Sequence, residues 1–311
     1  MRSREWSVVL TCSQNVELLQ EILHLPMSYL DHHGTRLFYE RSGQGQPTLV
    51  FIHGYCRSHQ DWAHQVDHFQ LHHVVVTSDL PGHGLSQYVP GQVSIESCGE
   101  SVAAVVNRLM LSPAVLIGHS MGCRVALQAY LEVPQSVVGL VLIDGSWFSA
   151  ADLPAARQRM VGELETTGYT GYLRQQFQEM FVAGADPLVT QRIIAEALAT
   201  PREVGEPLLL RAMEWDAKRM EQALSSVTVP LLVIQSTCLN RDRRRVALKE
   251  GETTPWLELV RNRLPRAVIK ILPGVGHFSM LETPSVLNGA VEEFVKSLCR
   301  PSTFSLGGGV Q

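Results

Sequence analysis

The chain has 311 residues, a formal net charge of -4 and 45% hydrophobic residues. That length fits one large domain carrying an insertion, and that composition supports a sizeable core without disulfide or metal staples. The near-balanced charge, with no long basic stripe, excludes nucleic acid as an expected partner. Arg241, Arg243, Arg244 and Arg245 are the one local basic excess and read as a solvated loop. Cys12, Cys56, Cys98, Cys123, Cys238 and Cys299 are scattered, without C-x-x-C pairs or zinc spacing. They read as reduced thiols of a cytoplasmic protein.

Residues 1–26 differ in character from the rest of the chain. Arg2 and Arg4 precede a short apolar run, but Glu5 and the polar Ser13-Gln14-Asn15 argue against a secretory signal. Val16–Leu25 has helical apolar spacing. The segment is read as an N-terminal extension, with Met27 a natural first residue of the domain. No stretch is long and apolar enough to span a bilayer, so no membrane partner is expected.

From Leu30 the pattern is strand, turn at His33-Gly34, then strand through Leu37-Phe38-Tyr39. Continuous apolar runs follow at 48–52, 74–77, 114–117, 138–143, 231–234 and 268–272. Short branched runs of this kind suit parallel strands buried on both faces. Amphipathic helical stretches lie at 97–109, 121–131 and 285–298. The alternation predicts an α/β fold with a mostly parallel, doubly wound sheet. Residues 148–226 interrupt it with helical composition and interleaved aromatics, and read as a helical cap inserted into a core of 27–147 and 227–300. The Gly-rich tail, 301–311, reads as flexible.

Four segments carry chemistry. Gly118-His119-Ser120-Met121-Gly122 follows a strand and opens a helix, the setting of a G-x-S-x-G nucleophile elbow. Phe51-Ile52-His53-Gly54-Tyr55 ends another strand and opens a loop. With these two segments the chain resembles the α/β-hydrolase superfamily, over about residues 30–298. The resemblance implies that the backbone N–H groups of Tyr55 and Met121 form an oxyanion hole. Asp79-Leu-Pro-Gly-His-Gly-Leu-Ser86 matches a further loop of that family and reads as structural. Pro273-Gly-Val-Gly-His277 follows the last strand, where this fold carries its base.

Ser120 is therefore expected as nucleophile and His277 as general base. The acid is less determined. Asn240 stands near the position where relatives carry an aspartate, and an amide cannot stabilise an imidazolium by charge. Asp144, at a strand end just after the nucleophile helix, is favoured, with Asp242 the alternative. His53, His119, Trp147 and Phe148 are expected around the substrate, although His53 also reads as a loop-holding residue. The expected activity is that of a serine hydrolase cleaving a carboxylic ester or related acyl bond of a mainly apolar small molecule, with no cofactor and no metal. The alternatives are a cofactor-free dioxygenase, haloperoxidase or carbon–carbon bond hydrolase of the same fold, or a ligand receptor on that scaffold.

Overall fold

The computed structural model describes residues 28–182, 185–240 and 245–298. The N-terminal extension with its expected helix, the alternative acid Asp242 and the Gly-rich tail lie outside them.

The chain opens with an antiparallel pair, β1 (Ser28–His32) and β2 (Thr35–Ser42). His33 (φ 47°) and Gly34 (φ 76°) both take positive φ in the turn between them, which matches the right-handed twist of the flanking strands. The core strands follow: β3 (Thr48–Ile52), β4 (Val75–Ser78), β5 (Ala114–His119), β6 (Val137–Ile143), β7 (Leu231–Gln235) and β10 (Val268–Ile271). They join β1 and β2 in an eight-stranded sheet of order β1-β2-β4-β3-β5-β6-β7-β10, parallel from β4 onward. All six apolar runs thus form strands, within two residues of the expected bounds. β10 differs in burial. It lies at the sheet edge with a single partner, and Val268 is exposed.

Side chains alternate across each strand with period two, so one run feeds two cores. Val50, Ile52, Leu116, Leu140, Leu142 and Val233 face one core; Leu49, Phe51, Val115, Ile117, Val141 and Ile234 face the other. The first core is closed by α2 (Ile95–Arg108), α3 (Met121–Glu132), α7 (Glu221–Ser225) and α8 (Pro255–Arg263). The second is closed by α1 (Ala63–Phe69) and α9 (Pro284–Leu298), with Trp62 fully buried against Phe51. Each fully buried Val, Leu or Ile contributes about 1.5–3 kcal/mol.

Between β6 and β7 the chain is helical: α4 (Leu153–Gln178), α5 (Pro187–Leu198) and α6 (Arg202–Trp215), then a π-helical turn over Asp216–Met220 running into α7. α4 bends at Gly168, whose φ of 67° leaves the helical region. A buried arginine ties this segment to the sheet. Arg57 bonds Asp61 through two nitrogens and reaches across to the Ile193 carbonyl and Glu196 on α5. The composition did not foretell a small antiparallel ribbon, β8 (Thr237–Leu239) with β9 (Arg245–Ala247). Among the described residues no helix is long and apolar enough to cross a membrane. The described cysteines Cys56, Cys98, Cys123 and Cys238 are free.

Candidate active site

The chemistry-bearing residues collect at the carboxyl ends of the parallel strands, where β5, β6 and β7 hand over to loops. Ser120 sits between β5 and α3 at φ 55°, ψ −114°. Its strained backbone is held by the Ser120 N–H bonding the Ile143 carbonyl at 2.8 Å, which aligns the elbow with the end of β6. The flanking glycines are sterically required. A Cβ on Gly118 would strike the Gly122 carbonyl, and one on Gly122 would strike the Ile52 and His53 carbonyls. Met121 is the first residue of α3, so its N–H has no intrahelical acceptor and points with the positive end of the helix dipole.

Asp144 follows β6 at φ 49° and is 1% exposed. Its Oδ1 accepts the Ser236 and Thr237 N–H groups, each at 2.8 Å. Its Oδ2 accepts the Thr237 hydroxyl and the His277 ring at Nδ1. Burial alone would raise the Asp144 pKa. The His277 ring, the nearby Arg245 guanidinium and the Thr237 hydroxyl outweigh it and hold the carboxyl well below the usual range. With Nδ1–H committed to Asp144, the His277 lone pair stands at Nε2. Burial, and then Arg245, push the His277 pKa down to about 4, offset in part by Asp144, so the ring is neutral near pH 7.

The loop carrying His277 is bonded on every side. Glu282 accepts the Gly276 and Phe278 N–H groups, and Ser236 Oγ donates to the Gly276 carbonyl. The His277 N–H donates to the Met180 carbonyl at 3.0 Å, and its own carbonyl accepts His119 Nε2 at 2.8 Å. These bonds fix the ring before any substrate arrives.

Ser120, Met121, Tyr55 and Phe148 line one cavity with Met160, Met213 and other side chains of α4 and α6. Tyr55 is anchored through its hydroxyl, which donates to the Gly205 carbonyl at 2.9 Å and meets Tyr169. Trp147 lines an adjoining cavity that shares Ser146, Phe148, Leu239 and Arg245 with the first.

The expectation that His53 and His119 meet substrate does not fit their placement. His53 is fully buried, donating to the Gly54 carbonyl and accepting the Leu80 N–H, so it ties the Tyr55 loop to the Asp79 loop. His119 is 1% exposed and packs behind His277, with ring centroids 4.6 Å apart. Asn240 lines the second cavity. Asp79, read as structural, bonds His59 and the Leu85 N–H away from Asp144 and His277.

Several site residues escaped the sequence reading. Arg245 does not belong to a solvated loop: it is largely buried, with Nη1 3.5 Å from Asp144 Oδ2. Arg124, on the helix behind Ser120, forms a two-point pair with buried Asp216 and also bonds Ser146. Among the described residues no group of three or more His, Cys, Asp or Glu side chains gathers as a metal site.

A sequence profile described as the alpha/beta hydrolase family matches residues 49–290. The chain belongs to the alpha/beta hydrolase family. It is 24% identical over 280 residues to a protein of Xylella fastidiosa named pimeloyl-[acyl-carrier protein] methyl ester esterase, covering 84% of this chain and all of that one. It is 25% identical over 280 residues to the "dihydrolipoyllysine-residue acetyltransferase component of acetoin cleaving system" of Cupriavidus necator, covering 85% of this chain and 68% of that protein. Among solved structures, the enol-lactonase from Burkholderia xenovorans superposes with a TM-score of 0.71 at 21% identity, covering 86% of this chain and all of that one. This alpha/beta hydrolase is an enzyme, and its central sheet has the fold of that solved structure.

Proposed function

We propose that this alpha/beta hydrolase is a serine hydrolase that cleaves a carboxylic ester or a related acyl bond through an acyl-enzyme. The pairing of Asp144 with His277 Nδ1, together with a strained Ser120 in a cavity it shares with Tyr55 and Met121, carries the reading. In this mechanism His277 Nε2 takes the Ser120 proton as Oγ attacks the carbonyl carbon. The Tyr55 and Met121 N–H groups receive the charge that develops on the carbonyl oxygen. Asp144 stabilises the imidazolium and holds its tautomer. His277 then gives its proton to the leaving alcohol, and water, deprotonated at the same Nε2, releases the acid and restores Ser120.

The helices between β6 and β7 act as a cap in this reading. Met160, Leu209 and Met213, which they contribute to the cavity, favour a mainly apolar acyl or alcohol group. The names of similar proteins, a methyl ester esterase and an enol-lactonase, support acyl-bond cleavage as the class.

A common acyl-enzyme has a kinetic signature. Esters of one acid with several alcohols should partition between water and added methanol in one constant ratio of free acid to methyl ester, because the alcohol has left before partitioning. A ratio that changes with the leaving alcohol, or no methyl ester at all, would count against the covalent route.

A further inference from the structure

Among the described residues Arg57 and Arg124 are buried and Arg245 is partly so, and Arg245 differs from the other two. Arg57 meets Asp61 through two nitrogens and adds Glu196; Arg124 meets Asp216 through Nε and Nη2 at 2.8 and 2.6 Å. Both are planar two-point pairs that neutralise a dehydrated guanidinium. Arg245 has a side chain 13% exposed and, among the described residues, no such pair. Its one hydrogen bond among them runs from Nη1 to the neutral Thr237 hydroxyl at 2.8 Å. The one carboxylate within 4 Å among them is Asp144 at 3.5 Å, outside hydrogen-bond reach. That carboxylate already accepts Ser236, Thr237 twice and His277.

Arg245 thus has no two-point carboxylate partner among the described residues, and its position gives the guanidinium a use. It stands in the wall common to the cavity that holds Ser120 and the adjoining cavity of about 230 Å³. That second cavity is also lined by Trp147 and Trp256, and the indole Nε1 of each is buried with no hydrogen-bond partner among the described residues. Trp256 is only 3% exposed. A guanidinium with no two-point carboxylate partner among the described residues, in a small chamber walled by two indoles, matches an anionic oxygen ligand.

We propose that the second cavity is a carboxylate subsite, with Arg245 as its cation, and that the substrate is an ester carrying a free carboxylate beyond an apolar spacer, such as a monoester of a dicarboxylic acid. The inference rests on the acyl-hydrolase reading and adds one charged group to the mainly apolar substrate. The spacer lies against Leu239 and Phe148, which both cavities share. The scissile carbonyl sits at Ser120.

The test compares the p-nitrophenyl monoester of adipic acid with p-nitrophenyl hexanoate, which matches it in chain length and lacks the charge. The wild-type enzyme should favour the charged ester in kcat/KM by about tenfold or more, the scale of one charge-assisted pair. Arg245→Gln should bring the ratio of the two close to one, chiefly through KM on the charged ester, and Arg245→Lys should fall between. A merely structural Arg245, acting through Thr237 and Asp144, would slow both esters alike and leave the ratio unmoved. That result, or no preference in the wild type, overturns the proposal. Calorimetric binding of both esters to Ser120→Ala protein reads the subsite without turnover, and equal affinities would also overturn it. Turnover surviving Ser120→Ala would instead strike the serine mechanism, so the two failures are distinguishable.

Discussion

Asp144→Asn is expected to lower kcat for ester hydrolysis by about 10⁴-fold while the protein still folds. The carboxylate makes four contacts with distinct demands. The Ser236 and Thr237 N–H groups require an oxygen at Oδ1, so an asparagine turns its carbonyl there and its NH2 toward Oδ2's partners. That NH2 then donates to His277 Nδ1. The ring must move its proton to Nε2, the nitrogen that has to accept from Ser120. The amide also withdraws the negative charge that stabilises the imidazolium, beside an Arg245 guanidinium that opposes it. Shape is kept and two backbone bonds survive, so circular dichroism should be near wild type while the rate collapses. If Asp242 were the acid, Asp242→Asn would show the larger loss instead. Comparing kcat of the two variants decides between them.

Stability is expected to fall by several kcal/mol between pH 7 and pH 5. Among the described residues three histidines outside the proposed triad are fully buried. Desolvation is the largest influence on each, lowering His53 to about 4 and His83 and His119 to about 3. Below the unfolded pKa near 6.5, the unfolded chain binds protons that the folded protein does not. Folding stability therefore drops as pH falls, by up to about 1.4 kcal/mol per histidine per pH unit, until the folded values are reached. His59 acts in the opposite sense. Burial lowers its pKa, but Asp79 and Glu40 outweigh it, and the raised value contributes stability below pH 6.5. One partly buried histidine offsets only a fraction of three. Urea unfolding at pH 7, 6 and 5 checks this, and a midpoint that stays level across those values would mean the rings are hydrated or protonated in the folded state.

The contrast between residues the sequence revealed and those it hid has a physical basis. Strands buried on both faces need unbroken branched apolar runs, so β3, β5, β6 and β7 were visible as such. The Ser120 elbow needs small residues at fixed offsets because two backbones meet there, and Gly118 and Gly122 record that contact in the sequence. Asp144 stood out because it terminates a recognisable strand. Arg245 did not, because four arginines in a five-residue stretch carry no sign that this one turns inward. That is decided by the β8–β9 ribbon, whose three-residue strands are too short for periodicity to register. The pair of Arg124 with Asp216 joins residues 92 positions apart, and only the closing of the helical insertion onto α3 brings them together. His53 and His119 adjoin the chemistry in sequence but face backbone groups of neighbouring loops, a distinction that adjacency to a motif cannot make.

The proposed mechanism stands or falls on Ser120 being an activated nucleophile. Labelling with a fluorophosphonate, followed by intact mass and peptide mapping, reads that activation at the residue itself. One phosphonyl group per chain on the peptide containing Ser120, and none on folded Ser120→Ala protein, is the expected result. A label on another residue, or well-folded wild-type protein that takes none, would contradict it.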